Sequence, residues 1–144
     1  MRIDQIKQIA KSTAMFAPPA NAEQLKRCEE DLYILDLPHI PQEYSDFLSK
    51  CNGFSDGGDQ AFYGTERVEL KGYKLQDIVS ANQYESHIGF FVAKKILQIG
   101  GGREELFVYN AANGRYEMLD DMALDAYKSF ETFEDMFIAV NKRL

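Results

Sequence analysis

Residues 40–53 read IPQEYSDFLSKCNG and contain the start, the apolar face and the end of one helix. Pro41 suits a first helical position, because that position needs no N–H and the proline ring presets φ. Four side chains then follow at the i, i+3, i+4 and i+7 spacing of a single helical face; they are Tyr44, Phe47, Leu48 and Cys51. Gly53 predicts the end of the helix, since glycine adopts the left-handed conformation at little cost.

Further helices are predicted on both sides of this stretch. Apolar residues at helical intervals from Ile3 onwards indicate an N-terminal helix, which the following proline pair would end. Asn21 followed by Gln24 predicts a capped start for a second helix. A last helix is predicted to begin at Thr132. Its apolar stripe would consist of Phe133, Met136, Phe137 and Val140.

Strand signals occupy much of the chain between residues 54 and 120. A short helix is predicted among them, between residues 75 and 84. The hairpin connection Asn110–Gly114, with glycine at its turn, predicts that the strands on either side of it pair. The predicted strands cover residues 60–63, 66–71, 95–99, 105–109 and 115–119.

This order of elements predicts one α+β domain over residues 1–144, with a mostly antiparallel sheet of five or six strands covered by helices. Gly100, Gly101 and Gly102 are expected to form a tight or bulged turn between strands. A phosphate-binding loop is disfavoured, because two carboxylates and a strand follow the glycines where such a loop needs a lysine and a helix.

The composition is that of an ordinary globular protein, with 45% hydrophobic and 27% charged residues in a chain of 144. We expect a cytoplasmic location with no membrane contact, because no apolar run approaches membrane-spanning length and the first residues lack a signal-peptide pattern. A net charge of −7 makes direct binding to nucleic acid unfavourable.

The negative charge is concentrated near the C-terminus. Nine acidic and two basic residues lie between Glu104 and Asp135, so this segment carries the whole formal charge imbalance. A field of one sign attracts a partner of the opposite sign, and tyrosine supplies contact area with a hydroxyl. A solvated acidic face and half-buried tyrosines are the alternative. The predicted partner-binding residues are Glu104, Glu105, Glu117, Asp120, Asp121, Asp125, Tyr109 and Tyr116.

Catalytic and metal-binding patterns are weak. His39 and His87 have no metal ligand at suitable spacing, so we expect neither a metal nor a cofactor. Cys28 and Cys51 are expected to be buried, reduced thiols, and whether they lie close together stays open. A Cys51–His87 nucleophilic pair also stays open, although nothing around Cys51 resembles a known signature. We therefore predict that the protein is not an enzyme.

The opening stretch also resembles the signature of the SUKH superfamily, which includes domains similar to the yeast cell-wall-synthesis regulator and many bacterial immunity proteins. Three later blocks resemble the family in the same order, namely residues 62–64, residues 100–109 with the following turn, and residues 129–130 before the last helix. The resemblance spans residues 21–140, so residues 1–20 lie outside it. The positions matching the family motif are Pro41, Tyr44, Phe47, Leu48, Asn52, Gly53 and Gly64.

The resemblance implies the same α+β architecture and a protein-binding function. Many bacterial members are immunity proteins that bind and occlude a toxin, often a nuclease, and nucleases tend to be basic because they bind phosphates. The alternative implied by the yeast regulator is an intracellular scaffold with several weak partners, and an uncharacterised enzyme is less favoured. The motif positions are expected to be structural. The partner and the oligomeric state, including a weak dimer, stay open.

Overall fold

A computed structural model describes residues 1–143 of the chain. The helices are α1 (Ile3–Ile9), α2 (Ala22–Ile34), α3 (Gln42–Leu48), α4 (Ile78–Asn82), α5 (Ile88–Lys94) and α6 (Phe133–Asn141). The strands are β1 (Met15–Phe16), β2 (Phe54–Ser55), β3 (Ala61–Phe62), β4 (Val68–Leu70), β5 (Tyr73–Leu75), β6 (Ile96–Gly102), β7 (Glu105–Asn110), β8 (Arg115–Asp120) and β9 (Ala126–Phe130).

Seven of these strands form one sheet in the order β1-β2-β3-β6-β7-β8-β9, and every neighbouring pair is antiparallel. The predicted α+β fold with a mostly antiparallel sheet is therefore confirmed. The sheet has seven strands where five or six were expected. The strands of this sheet that were not predicted are β1, β2 and β9, and β1 and β2 have only two residues each, which is too short for an alternating pattern to show.

The predicted starts of two helices are confirmed. The Asn21 side chain accepts a hydrogen bond from the Gln24 N–H at 2.8 Å, and the Gln24 side chain accepts one from the Asn21 N–H at 2.9 Å. This reciprocal pair satisfies two backbone donors that the first turn of α2 leaves free. Thr132 caps α6 through a single bond, in which its hydroxyl accepts from the Asp135 N–H at 3.1 Å.

The predicted end of the helix in residues 40–53 is wrong. Helix α3 ends at Leu48, and Pro41 precedes its first turn as the N-cap. Cys51 lies beyond the helix, although it is buried as predicted. Gly53 has a φ of 124°, and a Cβ at this position would lie 2.6 Å from the Leu75 Cδ2 atom. The positive φ predicted for Gly53 is therefore present, but the residue lies five positions beyond the end of α3 and does not end the helix.

Three other boundaries also differ from expectation. The glycines from Gly100 to Gly102 lie within β6, with a bulge between Gln98 and Gly100, and the turn follows at Arg103 and Glu104. The predicted strand over residues 66–71 contains β4, which pairs with β5 in a separate hairpin and not with β3 of the main sheet. The N-terminal helix ends at Ile9, after which β1 joins the edge of the sheet.

Aromatic residues from α3, α6 and β3 form the centre of the core. The Phe133 ring lies 4.8 Å from the Phe47 ring, 5.0 Å from Tyr44 and 5.0 Å from Phe62, measured between centroids. The buried Tyr44 hydroxyl donates a hydrogen bond to the backbone carbonyl of Tyr63 at 2.5 Å and lies 3.1 Å from the carbonyl oxygen of Ile99. Helix α3 therefore buries its aromatic face against the sheet, as the opening stretch predicts.

Candidate protein-binding surface

The eight predicted partner-binding residues lie at two separate ends of the β7–β8 hairpin. Glu105 pairs with Asp120 in the strand register, whereas Tyr109 pairs with Tyr116 four residues further along. At the usual rise of a strand, this offset corresponds to about 14 Å. The predicted residues therefore do not form one continuous surface.

Four of the predicted acids meet where two turns touch. The Asp121 N–H donates to the Glu104 carbonyl at 3.1 Å, which joins the β8–β9 turn to the β6–β7 turn. The Asp120 N–H donates to the Asp125 carbonyl at 3.1 Å within the β8–β9 turn. Glu104, Asp120 and Asp125 are exposed, and Asp121 is half-buried. We call these four residues the acidic end.

Met122 lies in the β8–β9 turn, directly after Asp120 and Asp121, and is 90% exposed. The Asp120 carboxylate accepts hydrogen bonds from the Ala123 N–H at 2.7 Å and the Met122 N–H at 2.9 Å. These two bonds lower the pKa of the Asp120 carboxyl below its ordinary value, so the group is charged at neutral pH. The turn therefore presents an apolar side chain with a fixed negative charge beside it.

Glu105 is held by the C-terminal end of the chain. Its carboxylate accepts hydrogen bonds from the Arg143 guanidinium and from the Tyr127 hydroxyl. Arg143 also donates to the Gln60 side chain at 2.7 Å. Because the charge of Glu105 is paired in this way, it contributes less to the field around the acidic end.

The remaining predicted residues serve the β7–β8 hairpin and the core. Glu117 is 9% exposed, and its carboxylate accepts from Asn110 at 3.1 Å and from Asn113 at 3.3 Å. Tyr116 is 3% exposed, and its ring lies 5.9 Å from Phe133. Tyr109 is half-buried against Tyr116. Glu117 and Tyr116 have too little exposed surface to contact a partner directly.

Sequence reasoning missed the exposed apolar side chains. These are Met122, Tyr127 at 54% exposure, Tyr84 at 66%, and Tyr33 and Ile34 at 74% and 76%. The exposure of Tyr33 and Ile34 on α2 could have been predicted, because both residues lie off the apolar stripe through Leu25 and Leu32. Beside this pair is a cavity of about 420 Å³ that His39 and Glu29 also line.

The cysteines are placed for packing. Cys28 and Cys51 are buried and unbonded to each other, and burial raises the pKa of each thiol to about 12. The Cys51 thiol donates to the Gly53 carbonyl at 2.9 Å, and the His87 Nε2 atom lies 3.2 Å from the Asp121 carbonyl oxygen. Each member of the suggested nucleophilic pair therefore has another partner. Within residues 1–143, no three metal-ligating side chains group together.

A buried polar network lies near the acidic end, in a cavity of about 350 Å³. Its centre is the Asp56 carboxylate, which accepts from the Gly58 N–H at 2.8 Å, the Gln60 side chain at 2.8 Å and the Lys11 ammonium at 3.4 Å. Burial alone would raise the pKa of this carboxyl, but the hydrogen bonds outweigh burial and lower it. The network connects the segment after α1 to the β2–β3 turn.

Replacing Asp56 by asparagine is expected to lower the free energy of unfolding by about 1–3 kcal/mol at neutral pH, because buried partners lose their charged acceptor. The pKa of the Asp56 carboxyl is lower in the folded than in the unfolded protein. The stabilisation by Asp56 is therefore complete at pH values above the unfolded-state pKa, and it is lost as the pH falls through the folded-state pKa. The free energies of unfolding of wild type and variant, measured by urea unfolding, should therefore approach each other as the pH is lowered into the acidic range. Asp59→Asn, an exposed change in the same turn, should alter stability by less than about 0.5 kcal/mol.

Comparison with known proteins assigns no family. No protein-family model matches the chain, and no curated protein matches it either. The resemblance to the SUKH superfamily therefore stays a prediction. In the part of the chain that the structure describes, no helix has the length and apolar character needed to cross a membrane.

Proposed function

We propose that this chain is a SUKH-like protein-binding domain that docks a basic protein partner at its acidic end, and that it acts as an immunity protein against a toxin domain. The observation that carries the proposal is Met122, an almost fully exposed apolar side chain among four carboxylate residues. The resemblance to the SUKH superfamily implies a toxin as the partner, and the charge agrees with it, since a nuclease toxin needs a basic surface to bind phosphates.

The arrangement matches the anatomy of a protein interface, in which an apolar anchor is surrounded by a polar rim. Burying a methionine side chain in a partner's pocket contributes about 1.5–3 kcal/mol. The surrounding carboxylates would raise the association rate of a basic partner, and added salt would reduce this effect. The turn is held by backbone N–H groups that donate to the Asp120 carboxylate, so little order has to be gained on binding.

The placement of the motif residues also supports this proposal. Tyr44, Phe47 and Leu48 are buried in the core, and Asn52 bonds to Thr65 inside the protein. Residues committed to internal contacts cannot select a partner. The surface outside the motif is then free to differ between immunity proteins that share the fold, as a family with many different toxins requires.

The experiment is to capture the partner from native lysate and measure its binding to a variant carrying Asp120→Asn, Asp121→Asn and Asp125→Asn. We expect the dissociation constant to rise more than about tenfold at low ionic strength, mainly through slower association. Met122→Ser should instead accelerate dissociation. The asparagine at position 120 can still accept the hydrogen bonds of the turn, so the fold should be kept.

A matched control carries Asp31→Asn, Glu66→Gln and Glu69→Gln, three exposed residues on other parts of the chain. It has the same change in net charge and should retain most of the affinity. Equal losses in both triple variants would mean that net charge alone matters, and no loss in either would exclude the acidic end as the binding site. A captured partner whose toxicity the protein does not neutralise would contradict the immunity role.

The second candidate function is a scaffold with several partners. The observation that favours it is the exposed pair Tyr33 and Ile34 on α2, which provides a second apolar surface away from the acidic end. If the protein is a scaffold, Tyr33→Ser with Ile34→Ser should remove some partners from the captured set and Met122→Ser should remove others. A single partner lost only through Met122→Ser would favour the immunity function.

A further inference from the structure

Strand β9 is an unpaired edge directly beside the acidic end. It is the outermost strand of the sheet and pairs only with β8 among the described strands. Four of its five residues are exposed, from Ala126 to Ser129, and it begins one residue after Asp125. An edge strand directs part of its backbone N–H and C=O groups away from the sheet, where another chain can bond to them.

Two features of β9 limit indiscriminate pairing. A bulge opposite Met118 and Leu119 makes Tyr127 an extra residue in the strand. Lys128 places a positive charge in the strand, with its ammonium 5.7 Å from the Phe130 ring centroid. Both features are typical of natural sheet edges that avoid aggregation. An added strand therefore has to match this edge specifically.

The charges around β9 disfavour a second copy of the chain. Acids flank the strand at both ends, with Asp125 immediately before it and Glu131 immediately after it. Antiparallel self-pairing centred on Lys128 would place Asp125 of one copy beside Glu131 of the other, twice, and would bring two lysines together. Like charges directly opposite one another destabilise a strand pair.

We propose that β9 accepts an extended, basic segment of the protein partner as an eighth strand of the sheet. This inference rests on the proposed function and specifies how the same partner would bind. Backbone hydrogen bonds to β9 would supply affinity, and basic side chains at the two ends of the added strand would meet Asp125 and Glu131. The exposed Tyr127 ring would cover apolar side chains in the middle of the segment.

The probe is a short synthetic peptide of alternating lysine and valine, compared with the same peptide N-methylated at alternate residues. N-methylation keeps the charge and the side chains but removes backbone donors, so it should weaken binding about tenfold or more if a strand is added. A peptide of alternating glutamate and valine should not bind. NMR amide exchange should slow within residues 126–130 when the lysine peptide is added.

The possible results separate the alternatives. Equal binding of the methylated and unmethylated peptides, or slower exchange only outside residues 126–130, would overturn strand addition. Protection of the same residues in a concentration-dependent dimer without peptide would make a second copy the occupant and would also overturn it. If the three Asp→Asn changes weaken the captured partner while methylation has no effect on the peptide, the proposed function stands and this inference fails. If neither has an effect, both fail.

Discussion

Replacing Gly64 by alanine is expected to lower the free energy of unfolding by about 3 kcal/mol or more. A Cβ on Gly64 would lie 2.1 Å from the Asn52 carbonyl oxygen and 2.6 Å from its carbonyl carbon. Both atoms belong to the backbone, so relief requires two chain segments to move apart. The alanine variant would therefore have to separate the backbone at position 64 from the backbone at position 52, which it contacts directly.

The movement would also break buried hydrogen bonds. The Asn52 side chain donates to the Thr65 hydroxyl at 2.8 Å and accepts from the Thr65 N–H at 2.8 Å. The Gly64 carbonyl accepts from the Ile78 N–H at 2.9 Å, which positions the start of α4. Buried polar groups left without partners cost about 1–3 kcal/mol each, which adds to the steric penalty.

The measurement is urea unfolding followed by circular dichroism, with Gly89→Ala as the control. Gly89 lies in α5, and a Cβ there would have no heavy atom within 4 Å. Alanine is the better helix former, so this change should stabilise the protein by about 0.5–1 kcal/mol. A Gly64→Ala variant with nearly the stability of wild type would contradict the close contact between Asn52 and Gly64.

Replacing Phe133 by alanine is expected to lower the free energy of unfolding by about 3–5 kcal/mol. The Phe133 side chain is fully buried, and rings from α3, β3 and β8 surround it. Removing the ring loses the free energy gained by transferring it from water into the core, and it also leaves a cavity. The neighbouring rings are anchored on several different elements, so they cannot all move into the space.

Two controls separate this effect from a general loss of aromatic surface. Phe133→Leu refills part of the space and should cost clearly less than the alanine change. Tyr84→Ala removes an exposed ring and should change the free energy of unfolding by about 0.5 kcal/mol at most. If Phe133→Ala and Tyr84→Ala had similar effects, the assignment of Phe133 to the centre of the core would be wrong.

The features predicted correctly from sequence depend on neighbouring residues. The caps of α2 and α6 involve residues three positions apart, and the apolar stripe of α6 repeats at helical spacing. The β7–β8 hairpin closes around a glycine turn only a few residues long. Short-range patterns of this kind survive in the sequence because the interacting groups are close along the chain.

The features that were missed depend on contacts between distant residues. Strand β1 has two residues and exists because Met15 pairs with Ser55. Gly100 has the appearance of a turn residue, yet it lies within β6, where the chain passes close to β3. A Cβ on Gly100 would lie 2.3 Å from the Ala61 carbonyl oxygen. No local pattern distinguishes a glycine needed for φ from one needed for space.

The candidate binding surface was also predicted only in part, because contacts between distant residues decide which side chains are exposed. Counting charges located the acidic segment but did not indicate which carboxylates face solvent. Glu105 is paired with Arg143, 38 residues away, and Glu117 is bound by two asparagines of its own hairpin. Met122 directly follows Asp120 and Asp121, but no local pattern indicated that its side chain is exposed.

From the sequence alone we could predict the α+β class, the starts of α2 and α6, the aromatic face of α3 and the position of the excess negative charge, because each depends on spacing or composition within one segment. We could not predict that the sheet has seven strands, that Gly64 must be glycine, or that Met122 and the edge of β9 are exposed beside the acidic end. Those outcomes depend on which distant segments come into contact, and contact removes some side chains and backbone groups from solvent while leaving others free.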